Sequence, residues 1–155
     1  MKVIGSLLIG VFLTGLLNCM NADDAQSLPV RSLAKGAFSG VKDARQEIIR
    51  DAATWEKFWK QHSVSAGSAA TIPAVDFAKE MVIAVTMGMK RTGGYRIEIA
   101  RVEPAGKSLK IFVKQTSPPP GALTIQALTA PFHFVAVPKS DLKPEFVEAN
   151  RVEKK

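Results

Sequence analysis

The sequence predicts a mainly β (α+β) domain, a small antiparallel sandwich or partly open barrel of about seven strands with one covering helix. Three observations lead there. Residues 81–85 are continuously apolar, the mark of a strand buried on both faces. Residues 95–102 and 108–116 alternate apolar and polar, and the turn formers Pro104 and Gly106 lie between them, so they read as a hairpin. One segment only, 51–63, spaces its large apolar residues by three and four.

In chain order, residues 1–19 read as a leader. Lys2 supplies the positive start, and an uncharged apolar run follows, slightly shorter than the ~20 residues of a bilayer span. The run ends at Cys19, the only cysteine of the 155 residues. A lone cysteine there points to lipidation of Cys19 at the start of the mature chain. Leu16 suits the cleavage site, whereas Asn18 stands where a smaller residue is usual. Ordinary cleavage near Ala22 or Ala25, and an uncleaved anchor, are the alternatives. The expected location is the cell envelope, in the outer or inner membrane as a lipoprotein, or else secreted or periplasmic. With Cys19 committed to lipid, no thiol remains for a disulfide, a zinc site or a nucleophile.

Residues 20–34 read as a flexible polar tether, and residues 35–150 as a single globular domain with a polar tail at 151–155. Two short strands are expected at 35–41 and 45–50. The helix follows, with Asp51 as its cap, Glu56 in its first turns, and Trp55, Phe58 and Trp59 on one face for packing. A small-residue loop at 63–75 returns the chain to the central strand. After the hairpin comes the rigid stretch Ser117-Pro118-Pro119-Pro120-Gly121. A strand at 131–139 then places Phe132, Phe134 and Ala136 on one face and His133, Val135 and Val137 on the other, and residues 143–150 supply a last strand.

Charge and chemistry exclude several classes. Lys and Arg number 21 against 14 Asp and Glu, a net charge of +7, but the cations are dispersed and no stacking aromatics accompany them, which speaks against nucleic acid. His62 ends the helix, and His133 reads as a partly exposed strand histidine. No nucleophile motif accompanies either. Metal-ligand spacings are absent, and Glu80, Glu98 and Glu103 fit solvent-facing positions. A non-enzymatic domain without cofactor or metal is the expectation.

What remains is the segment Lys90-Arg91-Thr92-Gly93-Gly94-Tyr95. Adjacent glycines permit positive φ and close backbone approach, so the segment reads either as a plain hairpin turn or as a contact loop. The run Glu80-Met81-Val82-Ile83-Ala84-Val85, then Gly88, Thr92-Gly93-Gly94-Tyr95 and Pro131-Phe132-His133-Phe134-Val135, preceded by the tryptophan helix, resembles the PrcB C-terminal domain family over residues 45–148. That family is named for a bacterial lipoprotein subunit that associates with and stabilises an exported subtilisin-like protease complex. The resemblance implies a protein partner, an exported protease among the options, and a contact rim of Lys90, Arg91, Thr92, Gly93, Gly94 and Tyr95 with Pro119, Gly121 and Phe132. In loop order the chain is also similar to chagasin-type protease inhibitors, with residues 92–95, 118–121 and Pro131-Phe132 as the three loops, though it lacks their Asn-Pro and Arg-Pro-Trp elements. A structural lipoprotein without a specific ligand is the third reading.

Overall fold

The computed structural model describes residues 27–64 and 71–149, and the leader, Cys19 and the tail at 151–155 lie outside the described residues. The elements run β1 (Arg31–Gly36), β2 (Ala44–Ile49), α1 (Ala52–Ser63), β3 (Glu80–Met87), β4 (Arg96–Ala105), β5 (Ser108–Thr116), β6 (Phe132–Pro138) and β7 (Lys143–Glu148). They form a four-stranded sheet in the order β1-β6-β3-β2 and a three-stranded sheet in the order β4-β5-β7. The expected seven-strand sandwich with one helix is the architecture found.

The centre is the antiparallel pair β3–β6, in register from Glu80–Pro138 to Thr86–Phe132. Both strands are apolar on both faces and therefore need two covers. On one face Met81, Ile83, Val85, Val135 and Val137 pack against Ile97, Ile99, Val102, Leu109, Ile111 and Val113 of the second sheet. On the other face Val82, Ala84, Phe132 and Phe134 pack against Trp55, Phe58 and Trp59 of α1. The helix thus lies on the outer face of the larger sheet and gives the sandwich a third layer. Its start follows from Asp51, whose carboxylate accepts the Thr54 N–H at 2.8 Å.

Three expectations are corrected. The segment read as tether up to residue 34 contains β1, which pairs with β6, and Leu28 already donates its N–H to the Val102 carbonyl at 2.7 Å, so the domain starts before residue 31. The strand expected at 35–41 lies earlier, at Arg31–Gly36, and residues 37–41 belong to the loop that follows it. The sheets are not wholly antiparallel, because β7 runs parallel to β5. β4 carries a bulge between Ile99 and Arg101, which exposes Ala100 and Arg101 in succession and returns Val102 to the core.

Phe134 is fully buried, with its ring 5.2 Å from Phe58, 4.8 Å from Phe132 and 6.1 Å from Trp55 between centroids. Phe134→Ala is expected to destabilise the domain by about 3–5 kcal/mol, read as a fall in the urea midpoint.

Candidate functional site

Three loops meet at the end of the larger sheet where β3 leaves and β6 enters. Residues 37–42 follow β1, residues 88–95 join β3 to β4, and residues 117–131 join β5 to β6. Lys90 and Thr129 exchange backbone hydrogen bonds at 2.7 and 2.9 Å, and Gly93 donates to the Ile125 carbonyl at 2.9 Å. The Thr129 hydroxyl donates to the Thr92 carbonyl at 2.9 Å. Ala130 donates to the Ala37 carbonyl, Ser39 to that of Ala130, and Met89 to that of Lys42. The loop end is thus fixed by backbone pairing between the loops.

The two histidines serve this frame. His62 is 4% exposed, its Nδ1 lies 3.0 Å from the Ser39 hydroxyl, and its carbonyl accepts the Gly40 N–H at 2.8 Å, so the helix end holds loop 37–42. Gly40 has no substitute there, because an added Cβ would stand 2.1 Å from the Gln61 carbonyl oxygen. His133, 5% exposed, joins the two sheets. The Ile99 N–H donates to Nδ1 at 2.9 Å, so the proton sits on Nε2, which donates to the Ser32 hydroxyl at 3.0 Å. His133 is thus not the partly exposed strand histidine expected from its position, and burial pushes both imidazoles below their ordinary pKa. His133 falls to about 4, with Lys35 reinforcing the burial and Glu98 opposing it.

Two hollows flank Phe38. A groove of about 560 Å³ runs between the β1 end (Lys35, Gly36, Ala37) and the β4 start (Gly94, Tyr95, Arg96, Ile97, Glu98), with Lys114 and Ile125 at its sides. Lys35 and Glu98 bridge it at 2.8 Å, and this hydrogen bond, with the charges of Lys35 and Lys114, holds the Glu98 carboxyl below its ordinary pKa. A smaller pocket of about 190 Å³ at the tip is lined by Phe38, Lys42, Met89 and Leu128 among others. Among the described residues eight large apolar side chains are exposed, and five of them, Phe38, Met89, Leu123, Ile125 and Leu128, lie on these loops. The exposed apolar side chains are thus concentrated at this end of the domain.

Residues 81–138 match the family model PrcB C-terminal. The PrcB C-terminal match begins at the second residue of β3 and ends with β6, so it contains both doubly buried strands and two of the three loops. No curated protein and no solved structure matches the chain.

Within the PrcB C-terminal match, the expected rim is partly brought together. Lys90 is half-buried with Nζ 5.4 Å from the Tyr95 ring centroid, Arg91 is exposed, and Tyr95 walls the groove. Thr92 is half-buried and gives its carbonyl to Thr129. Gly93 and Gly94 do not form a hairpin turn, because β3 and β4 belong to different sheets. Gly93 is buried, and a Cβ there would meet Ile125 Cγ1 at 2.6 Å. Gly94 has φ +88° and packs on Pro118 and Thr124. The pair therefore lets two loops approach each other. Pro119 and Gly121 are exposed in the adjoining turn, closed by the Ala122 N–H on the Pro119 carbonyl at 3.1 Å.

Phe132 is corrected. It is 7% exposed, packed on His62 and Phe134 and under Gly36, so it is a core residue and offers no anchor to a partner. The third loop of the inhibitor comparison loses its aromatic residue for the same reason. Phe38, Arg96, Ile125 and Leu128 were not expected at the site. The only sequence signal for the last two is the uncharged stretch 115–138, in which loop and core residues look alike. Among the described residues no three His, Cys, Asp or Glu converge as metal ligands.

The buried imidazoles have a measurable consequence. A histidine whose folded pKa lies below its unfolded value of ~6.5 stabilises fully above that value, and the contribution fades as pH falls toward the folded pKa. For His133 the window is pH 6.5 down to about 4. Between pH 7 and 5, above the range in which the carboxylates titrate, the protein is expected to lose about 1–2 kcal/mol through this group, allowing for solvent screening. Urea titrations across that range check it, and His133→Gln should flatten the slope.

Proposed function

We propose that the protein is an exported, lipid-anchored, non-catalytic subunit that binds and stabilises a partner protein, within an exported protease complex. The observation that carries this reading is the apolar tip, with Phe38, Met89 and Leu128 around a pocket of about 190 Å³ on loops already locked by backbone hydrogen bonds. A preformed surface does not lose loop entropy on binding, and a pocket of this kind takes one apolar side chain as an anchor. Lys90 and Arg91, with Lys42 beside them, steer an acidic partner toward the tip, while Tyr95, Pro119 and Gly121 extend the contact. The family match supports the partner class, because PrcB is the name of a protease-complex subunit.

The direction of the chain supports the anchored arrangement. β1 begins beside Lys79, Glu80 and Pro138 and ends at Gly36 beside Phe132, so the described chain enters the domain at the end remote from the loops, roughly 20 Å away along the strand. Lipid at Cys19 then leaves the tip facing the aqueous compartment. The histidines fit a non-catalytic role, since both are buried and engaged in structural hydrogen bonds.

Affinity purification of the tagged full-length protein from solubilised membranes is expected to recover a partner. Phe38→Asp combined with Leu128→Asp, both exposed positions, should reduce that recovery at least tenfold while leaving the urea midpoint unchanged. Recovery of no partner, or equal recovery with the double variant, rules the reading out. Incorporation of a fatty-acid label is expected in the wild type and not in Cys19→Ala.

A further inference from the structure

We infer that the groove beside the tip takes an extended acidic segment of the partner, which pairs with the open edge of β4 at Ile97. This rests on the reading that the loop end binds a protein, and it names the chemistry of the bound segment.

β4 is an edge strand, paired with β5 on one side only. The Ile99 N–H points away from β5, because it donates to His133 Nδ1 on the other sheet at 2.9 Å. Backbone groups two residues apart point to the same side of a strand, so the Ile97 N–H and C=O face this open edge as well, while Arg96 and Glu98 turn theirs toward β5. Further along, the same edge is covered at Val102, whose carbonyl accepts the Leu28 N–H at 2.7 Å. The chain therefore closes its own β4 edge with its N-terminal segment at one point and with an imidazole at the next. At Ile97 the edge opens instead into the groove of about 560 Å³. Exposed edges are commonly covered, since they recruit other strands, and an opening beside a preformed cavity is the geometry of strand addition.

Charge selects the segment. The groove is lined by Lys35, Arg96 and Lys114 against one acid, Glu98, which is already paired with Lys35. A carboxylate entering the groove meets Arg96 and Lys114 and competes with Glu98 for Lys35. Apolar residues alternating with the acids face Tyr95, Phe38 and Ile125. The chain's own residues 151–155 carry Arg151, Lys154 and Lys155 against the single acid Glu153, a charge of the same sign as the groove's, which makes that segment a poor occupant.

The test uses detergent-solubilised full-length protein and a fluorescein-labelled octapeptide of alternating glutamate and valine, with the lysine–valine octapeptide as control. Expected are saturable binding of the acidic peptide, at least tenfold weaker binding of the basic one, and at least tenfold slower hydrogen exchange at the Ile97 amide when the acidic peptide is bound. Arg96→Glu with Lys114→Glu should abolish binding at an unchanged urea midpoint. Equal binding of both peptides, or unchanged exchange at Ile97, overturns the inference. So does failure of the acidic peptide to bind when vesicles of anionic phospholipid are captured by the same charges, or when removal of residues 150–155 alone creates the binding. If Arg96→Glu with Lys114→Glu still recovers the partner from membranes and the Phe38–Leu128 variant does not, the groove inference fails while the partner-binding reading stands.

Discussion

Everything in this fold depends on the pairing of β3 with β6, two strands buried on both faces and apolar but for Glu80, Thr86 and His133. Such a pair has no face that water can solvate, so it is stable only when covered twice. The aromatic helix supplies one cover and the three-stranded sheet the other. The remaining strands of the larger sheet, β1 and β2, flank the pair and satisfy its backbone. Because the loops at one end spring from this pair and its neighbours, the rigidity of the centre is inherited by the candidate site.

The polar interior is sparse and each member of it joins two elements. His133 joins β6 to the edge of β4 and to β1, and His62 joins the helix end to the loop that carries Phe38. Among the described residues no buried side-chain nitrogen or oxygen lacks a hydrogen-bond partner. The imidazoles thus act as neutral struts, and one of them ties β6 to both strands that flank the groove, β1 through Ser32 and β4 through Ile99. Stability and the shape of the contact surface are in this sense one problem.

The parts of the fold legible from residue order alone are those in which a local pattern coincides with burial. The run at 81–85, the alternation of Ile97 and Ile99 and of Leu109, Ile111 and Val113, the spacing of Trp55, Phe58 and Trp59, and the Asp51 cap all belong to this class. What was hidden depends on distant segments. β1 reads as tether because it is an edge strand with an irregular register and only Leu33 and Ala34 half-buried. The parallel course of β7 follows from where it docks, which no periodicity encodes. The site was half legible. Lys90, Arg91 and Tyr95 stand in a glycine-marked loop, whereas the reason for the glycines lies some thirty residues away at Pro118, Thr124 and Ile125. Phe38 and Leu128 have the composition of core residues, and their exposure emerges only once three loops are assembled.

The pairing of β1 with β6 also constrains how the domain comes into being. Arg31 lies opposite Ala136, so the first described strand to emerge from a ribosome waits for more than a hundred further residues before its partner exists. Contacts of such separation form late, and the centre itself needs residues 80–87 and 132–138 together. The N-terminal half has no sheet of its own to close. A chain with this connectivity stays open until nearly all of it has been made, then folds as one unit. The same connectivity leaves the emerging tryptophan helix without its cover during synthesis, a vulnerable interval in which a chaperone has a binding surface to protect.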